Sequence, residues 1–164
     1  MKYFLKKPIK KKCSDEIRPL LEVINALPAI EIHSYSEMGN HTIVFLYVDN
    51  KQERDDFGIQ QTPLSQGLFF LARSIDRRYL NYFVEISISV MDIYEEKENL
   101  PTIYELHIMG DDQADVSGKI NAIIESMDQH LHNENFIKYY NIDLSRFSIM
   151  TIKDDRREKI KQIL

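Results

Sequence analysis

Alternation of apolar and polar residues in short segments constrains the fold of this chain more than any other feature. Residues 82–91 and 102–109 show this period of two most clearly, and residues 29–34 repeat it. Successive side chains of a β-strand point to opposite faces, so each segment predicts a strand with one apolar and one polar face. Residues 42–48 are a run of mainly β-branched and aromatic residues and predict a fourth strand, buried on both faces.

Apolar residues at three- and four-residue steps predict three helices between and around these strands. The first is expected to start near Ser14 and to end at Pro28, and the second to start at Thr62-Pro63. The third follows Gly110-Asp111-Asp112. Gly118 lies inside it and costs about 1 kcal/mol relative to alanine, so we expect close backbone packing at that position.

The resulting order, α-ββ-α-ββ-α with a C-terminal extension, predicts a single α+β domain over residues 1–164. Strands joined as hairpins predict a two-layer sandwich, with a mainly antiparallel four-stranded sheet and helices on one face. Residues 1–13 form a basic N-terminal arm that lies in solvent or serves as an edge strand, and residues 133–164 form the extension. Residues 29–80 and 82–132 repeat a strand-pair-then-helix unit, which resembles an internal duplication.

The charge distribution limits the partners that the chain is expected to have. The formal net charge is -5, although residues 2–12 hold six lysines and no acid. Because phosphate neutralisation supplies most of a duplex binder's affinity, the acidic balance disfavours nucleic acid as a partner. Contact through the lysine arm would require Arg73, Arg77 and Arg78 to adjoin that arm in space.

Cysteine content and hydropathy predict the setting of the protein. The single Cys13 excludes an internal disulfide, and Lys11 and Lys12 beside it are expected to lower the pKa of its thiol slightly. The lysine-rich start lacks the apolar region of a secretory leader, and no apolar stretch approaches the roughly 18 residues of a membrane span. We therefore expect a cytoplasmic protein without a membrane segment.

The polar face of the predicted sheet carries the side chains best suited to a site. Glu-x-His occurs on two strands, and residues two apart on a strand point the same way. Two such pairs on neighbouring strands would bind a divalent metal or supply a general acid and base. A solvated sheet face has the same composition, so both interpretations stay open. The side chains expected on this face are Glu31, His33, Glu85, Ser87, Ser89, Glu105 and His107, with His33, His41 and His107 as candidate metal ligands.

No sequence motif for catalysis accompanies these residues. The chain has no glycine-rich phosphate loop, nucleophile elbow, HExxH or paired CxxC, so an enzyme is disfavoured and no cofactor is expected. The leading hypothesis is a non-catalytic binding or regulatory protein, inhibitor- or immunity-like, that meets a protein partner. It would use the polar sheet face or the acidic loops 49–61 and 92–101. A metal-dependent enzyme on the sheet face is the alternative, and homodimerisation is left open.

One stretch of the sequence resembles a family of small uncharacterised proteins of bacteria and phages. Residues 24–30, Ile-Asn-Ala-Leu-Pro-Ala-Ile, are similar to that family's L-N-x-L-P-G-I turn, and the aromatic strand 43–48 follows a loop ending in Gly39-Asn40-His41. The family's loop reads Ser-Cys-x-Gly-His, whereas this chain has no cysteine there and separates Gly39 from His41. The resemblance spans about residues 15–132. It implies the same order of helix and strands, and no activity.

Overall fold

The computed structural model describes residues 2–48, 66–75, 84–88 and 102–163. Loops 49–61 and 92–101, the predicted helix start at Thr62-Pro63 and Ser89 lie outside these residues. The strands are β1 (Tyr3–Leu5), β2 (Ile30–Glu37), β3 (His41–Val48), β4 (Val84–Ile88), β5 (Thr102–Met109) and β6 (Ile149–Thr151). The helices are α1 (Arg18–Asn25), α2 (Gln66–Ser74), α3 (Gln113–Leu131), α4 (Glu134–Tyr139) and α5 (Ile152–Ile163), with a 3₁₀ turn at Leu144–Arg146.

The main sheet has four antiparallel strands in the order β2-β3-β5-β4, which confirms the predicted α+β class and the antiparallel sheet. A tight turn joins β2 to β3, and Gly39 adopts a φ of 66° there, a left-handed conformation that glycine tolerates. The β2-β3 and β4-β5 pairs meet through their second strands, β3 and β5. This strand order is compatible with two similar strand-pair units, and the internal duplication itself stays a prediction.

One face of the sheet forms the core together with α1, α2 and α3. Alternate residues of β3, from Thr42 to Val48, are buried on this face, and Leu106 and Ile108 of β5 lie beside them. Side chains at Ile43, Phe45 and Tyr47 are only half-buried. The prediction that β3 is buried on both faces is therefore wrong, because its hydrophobic run serves one packed face and one partly exposed face.

Helix α1 begins later than the sequence predicts. Ser14 caps a preceding turn, in which the Arg18 amide donates to its carbonyl oxygen and the Ile17 amide lies 3.4 Å from its hydroxyl. Regular helix starts only at Arg18, which places Pro19 in the first turn. Proline is tolerated there because amides of the first turn have no partner within the helix.

The N-terminal arm does not form an edge of the main sheet. Its strand β1 pairs antiparallel with β6 in a separate two-stranded sheet. The Lys6 ammonium hydrogen-bonds the Asp155 carboxylate at 2.8 Å, which joins the arm to α5. The N- and C-terminal segments are therefore fastened together, and Leu5 of β1 is buried in the core.

The expected close backbone packing at Gly118 is wrong, since this glycine is exposed and an added Cβ would meet nothing within 4 Å. The close approach occurs at Gly67 on α2, where a Cβ would overlap the carbonyl oxygen of Pro28. The local sequence around each glycine does not predict which of the two is closely packed. Only the packing of α2 against the segment that follows α1 distinguishes them.

The C-terminal extension returns to the core, as expected of a segment rich in aromatic residues. Ile142 and Phe147 are buried, and the Phe147 ring meets the Phe70 ring edge-on at 5.3 Å. Tyr139, by contrast, is 80% exposed. Among the residues described, no helix combines the length and the apolar character needed to cross a membrane.

Candidate functional site

The face of the main sheet that points away from α1–α3, hereafter the outer face, gathers the polar residues that the sequence singled out. The strand register aligns Glu85 with His107 and Ser87 with Glu105, while Glu31 lies opposite Tyr47. The His33 ring contacts the Tyr47 ring at a centroid distance of 4.6 Å. The described residues of the outer face are Glu31, His33, Ser34, Ser36, His41, Ile43, Phe45, Tyr47, Glu85, Ser87, Ile103, Glu105, His107 and Met109.

The chemical composition of the outer face is one-sided. It carries three carboxylates and three imidazoles, and the register places no lysine or arginine on its described strands. Strand β3, in the interior of the sheet, contributes an apolar row of Ile43, Phe45 and Tyr47, and all three side chains are half-buried. The face therefore consists of an apolar centre with acidic groups on both sides.

A bulge in β2 places Ser34 on this face together with His33, which alternation from Glu31 already predicts there. The pairing register shifts between Ile32 and Ser34, so His33 is an extra residue without a partner on β3. Without the bulge, regular alternation would place His33 and Ser34 on opposite faces. Nothing in the local sequence predicts the bulge.

The two Glu-x-His pairs lie on strands that are not neighbours. Glu31 and His33 belong to β2, Glu105 and His107 belong to β5, and β3 runs between them. Two strand spacings of about 4.8 Å separate the pairs, and the ring of Tyr47 occupies part of the gap. The expectation of pairs on neighbouring strands is wrong. Within residues 2–48, 66–75, 84–88 and 102–163, no group of three or more His, Cys, Asp or Glu side chains is placed to hold a metal ion.

The structure instead brings His41 to His107 across β3 and β5. Nε2 of His41 lies 2.9 Å from Nδ1 of His107, and the ring centroids are 5.2 Å apart. This combination places the two nitrogens head-on, as in an N–H···N hydrogen bond. Ligands of one metal ion must direct their lone pairs at a common point. The observed arrangement suits a shared proton better than a shared metal ion.

A carboxylate lies next to this pair, and the three groups form a chain whose last contact is longer than a hydrogen bond. Oε1 of Glu105 lies 3.8 Å from Nε2 of His107, and both side chains are 18% exposed. The negative charge of Glu105 favours a proton on Nε2 of His107, and Nδ1 of that ring then accepts the proton of His41. This assignment, made from the contacts, leaves Nδ1 of His41 as the acceptor at the end of the chain. Sequence spacing gave no signal for the pair, because 66 residues separate its members.

The remaining histidines have structural partners. His130 stacks on Phe136 at 4.2 Å with an interplanar angle of 5°, and its Nδ1 lies 3.2 Å from the Ser74 hydroxyl. His132 packs against Tyr3 at 4.8 Å. As expected from their two-residue spacing on a helix, these histidines have different neighbours.

The lysine arm lies along α1. The Lys7 amide donates to the Glu22 carbonyl oxygen, and the Arg18 guanidinium donates to the carbonyl oxygens of Ile9 and Lys11. Arg73 lies elsewhere, with its guanidinium over the rings of Phe69 and Tyr140. Arg77 and Arg78 lie outside the described residues, so contact with nucleic acid through the arm stays a prediction.

Cys13 is a free thiol in a partly buried position. Burial raises the pKa of this thiol, and the nearby Arg18 opposes the change only in part. The expected lowering by Lys11 and Lys12 is wrong, because desolvation of the thiolate outweighs the attraction of neighbouring cations.

Comparisons with protein-family models, with curated proteins and with solved structures gave no match to this chain.

Proposed function

We propose that this chain is a non-catalytic binding protein that holds a cationic protein partner against its outer face. One observation carries the proposal. Three carboxylates, Glu31, Glu85 and Glu105, surround a half-buried apolar row, and no lysine or arginine shares the described part of this face. Protein interfaces commonly have an apolar centre and a polar rim. Complementary charge adds selectivity and faster association.

The overall charge of the chain also supports a cationic partner. A net charge of -5 attracts a basic partner at long range, and the cations of the lysine arm are on other elements of the fold. An inhibitor- or immunity-like protein that covers a basic surface is one instance of this function. Such a protein needs no catalytic group of its own.

The test is affinity capture of partners on three immobilised forms of the chain. These are the wild type, the face variant Glu31→Gln/Glu85→Gln/Glu105→Gln, and a matched control, Glu16→Gln/Glu134→Gln/Glu158→Gln. The control changes the net charge equally but alters α5, α4 and the turn before α1. At about 0.2–1 kcal/mol per exposed charge pair, the face variant should weaken binding roughly threefold to a hundredfold.

A supporting result is a basic protein that the wild type and the control retain, that the face variant loses, and that roughly 0.5 M salt elutes. Equal retention on all three forms would place the interface elsewhere. The absence of any salt-sensitive partner would contradict the proposal directly.

A second candidate function is an enzyme on the same face. The Glu105–His107–His41 chain favours its acid–base form, whereas a metal-dependent form would require these side chains to turn toward a common ion. A carboxylate that orients one imidazole, which in turn meets a second, is a common arrangement for moving protons. A metal titration followed by thermal melting of the wild type and His41→Ala separates the two forms of this candidate. Stabilisation of the wild type alone by zinc or nickel would favour a metal centre. An unchanged melting temperature would favour a proton relay through Glu105, His107 and His41.

A further inference from the structure

A cleft of about 580 Å³ lies between β1, α1 and α3, on the helical side of the molecule and away from the outer face. Its floor consists of the buried side chains of Leu5, Val23 and Met127. Glu125 and Asp128 stand at its exposed rim. This volume falls within the range of pockets that bind small organic molecules, which are likewise mostly apolar with a few polar groups.

Glu22 is the unusual residue of this cleft. It lies on the buried stripe of α1, and its side chain is only 8% exposed. The nearest cations are Nζ of Lys6 at 3.6 Å and Nη1 of Arg18 at 4.0 Å, and both distances are too long for hydrogen bonds.

Both of these cations are engaged by other acceptors. Lys6 donates its hydrogen bond to Asp155 at 2.8 Å, and the Arg18 guanidinium donates to the backbone of the arm. The Glu22 carboxylate therefore has two long ion pairs, with Lys6 and Arg18, and no shorter contact from a described donor. A buried carboxylate usually has its lone pairs filled, since an unfilled one costs desolvation energy without return. Glu22 is therefore a loosely ion-paired acceptor that lines an apolar cleft and has lone pairs left for a further donor.

We propose that this cleft binds an organic cation, an ammonium or guanidinium compound with an apolar body. Its N–H groups would donate to Glu22, and its apolar part would cover Leu5, Val23 and Met127. Charge-assisted hydrogen bonds of this kind are about twice as strong as neutral ones. The inference stands on the cleft alone and is independent of the function proposed for the outer face.

The charge of the lining selects a cation over an anion or a neutral molecule. The lining holds three carboxylates, those of Glu22, Glu125 and Asp128, and one ammonium, that of Lys6, which also pairs with Asp155. The Arg18 guanidinium, 4.0 Å from Glu22, is a second cation but does not line the cleft. His132 lies 3.5 Å from Asp128 and adds a positive charge only when protonated. An anionic ligand would meet three carboxylates in the cleft, and an alcohol would lack the charge that they attract.

The experiment compares three probes with the same ring, namely 2-phenylethylammonium, 2-phenylethanol and 3-phenylpropionate. Methyl resonances of Leu5, Val23 and Met127 report binding in NMR titrations, and the Ile43 methyl on the outer face serves as the reference. The ammonium probe should shift the three cleft resonances at a concentration roughly tenfold or more below that of the alcohol. 3-Phenylpropionate should leave all of them unchanged.

Two variants and a control complete the test. Glu22→Gln should remove the preference for the ammonium probe over the alcohol, whereas Glu105→Gln on the outer face should preserve it. If Glu22→Gln does not fold, Glu125→Gln/Asp128→Asn supplies the decision, with a weakening of about threefold to tenfold expected from two exposed charges. Equal shifts by the ammonium and the alcohol, or an unchanged preference in the folded variant, would overturn the proposal. Because the cleft and the outer face share no residue, failure of this proposal leaves the partner-binding proposal untouched.

Discussion

Gly67 and Gly118 should respond to alanine substitution with opposite signs, although both lie in helices. Gly118 is exposed in the interior of α3, and an added Cβ there meets nothing within 4 Å. Alanine therefore gains the full difference in helix propensity, about 1 kcal/mol. For a chain of 164 residues, this gain raises the melting temperature by roughly 2–4 °C.

At Gly67 the same methyl group has no space. It would overlap the carbonyl oxygen of Pro28 and would lie 3.0 Å from the Leu27 Cβ and 3.1 Å from the Pro28 nitrogen. The Pro28 backbone, in the segment after α1, cannot move away as the end of a flexible side chain can. Overpacking costs about 1–3 kcal/mol, which exceeds the gain of about 1 kcal/mol in helix propensity. Gly67→Ala should therefore be destabilising.

Urea denaturation followed by circular dichroism measures both variants against the wild type. The midpoint should rise for Gly118→Ala and fall for Gly67→Ala, with unchanged slopes, since neither change alters the surface exposed on unfolding. Shifts of the same sign for both variants would refute the packing assigned to α2. A fall for Gly118→Ala would show that its surroundings are filled.

Three further predictions concern side-chain contacts. The hydrogen bond from Lys6 keeps the pKa of Asp155 below its ordinary value. The stability that this bond adds, about 1 kcal/mol, is present above the carboxyl pKa of the unfolded chain and is lost as pH falls through the carboxyl pKa of the folded protein. Hydrogen exchange of α5 should show this loss in the wild type and not in Asp155→Asn. Imidazole ¹⁵N spectra should place the protons of neutral His41 and His107 on Nε2 in both rings, and a proton on Nδ1 of His107 would refute the chain described above. The raised pKa of the Cys13 thiol should make its reaction with a disulfide reagent at pH 8 slower than that of glutathione, and an equal rate would contradict the burial.

Local pattern predicted individual elements of this fold well. Strand β5 has the bounds 102–109 that alternation gives, and α3 follows Asp112, whose carboxylate accepts the Asp115 amide. These features depend on periodicity and capping, which are properties of neighbouring residues. The side of the sheet on which Glu85, Glu105 and His107 lie was predictable for the same reason.

Arrangements that join distant parts of the chain were not predictable in this way. The strand order inserts β3 between the two Glu-x-His pairs, and it also brings His41 to His107. The bulge at His33 depends on pairing with β3. Each of these features reflects which strands become neighbours, and no periodicity within a strand encodes its neighbours.

The α+β class, the alternating strands and the polar character of one sheet face follow from periods of two and 3.6 residues, which neighbouring residues encode. Which polar groups meet depends on the tertiary structure. It paired β1 with β6, buried Glu22 beside an apolar cleft, and placed His41 against His107. These contacts arise from packing between segments far apart in the chain, where the free energy of the whole fold, and not local preference, selects the partner.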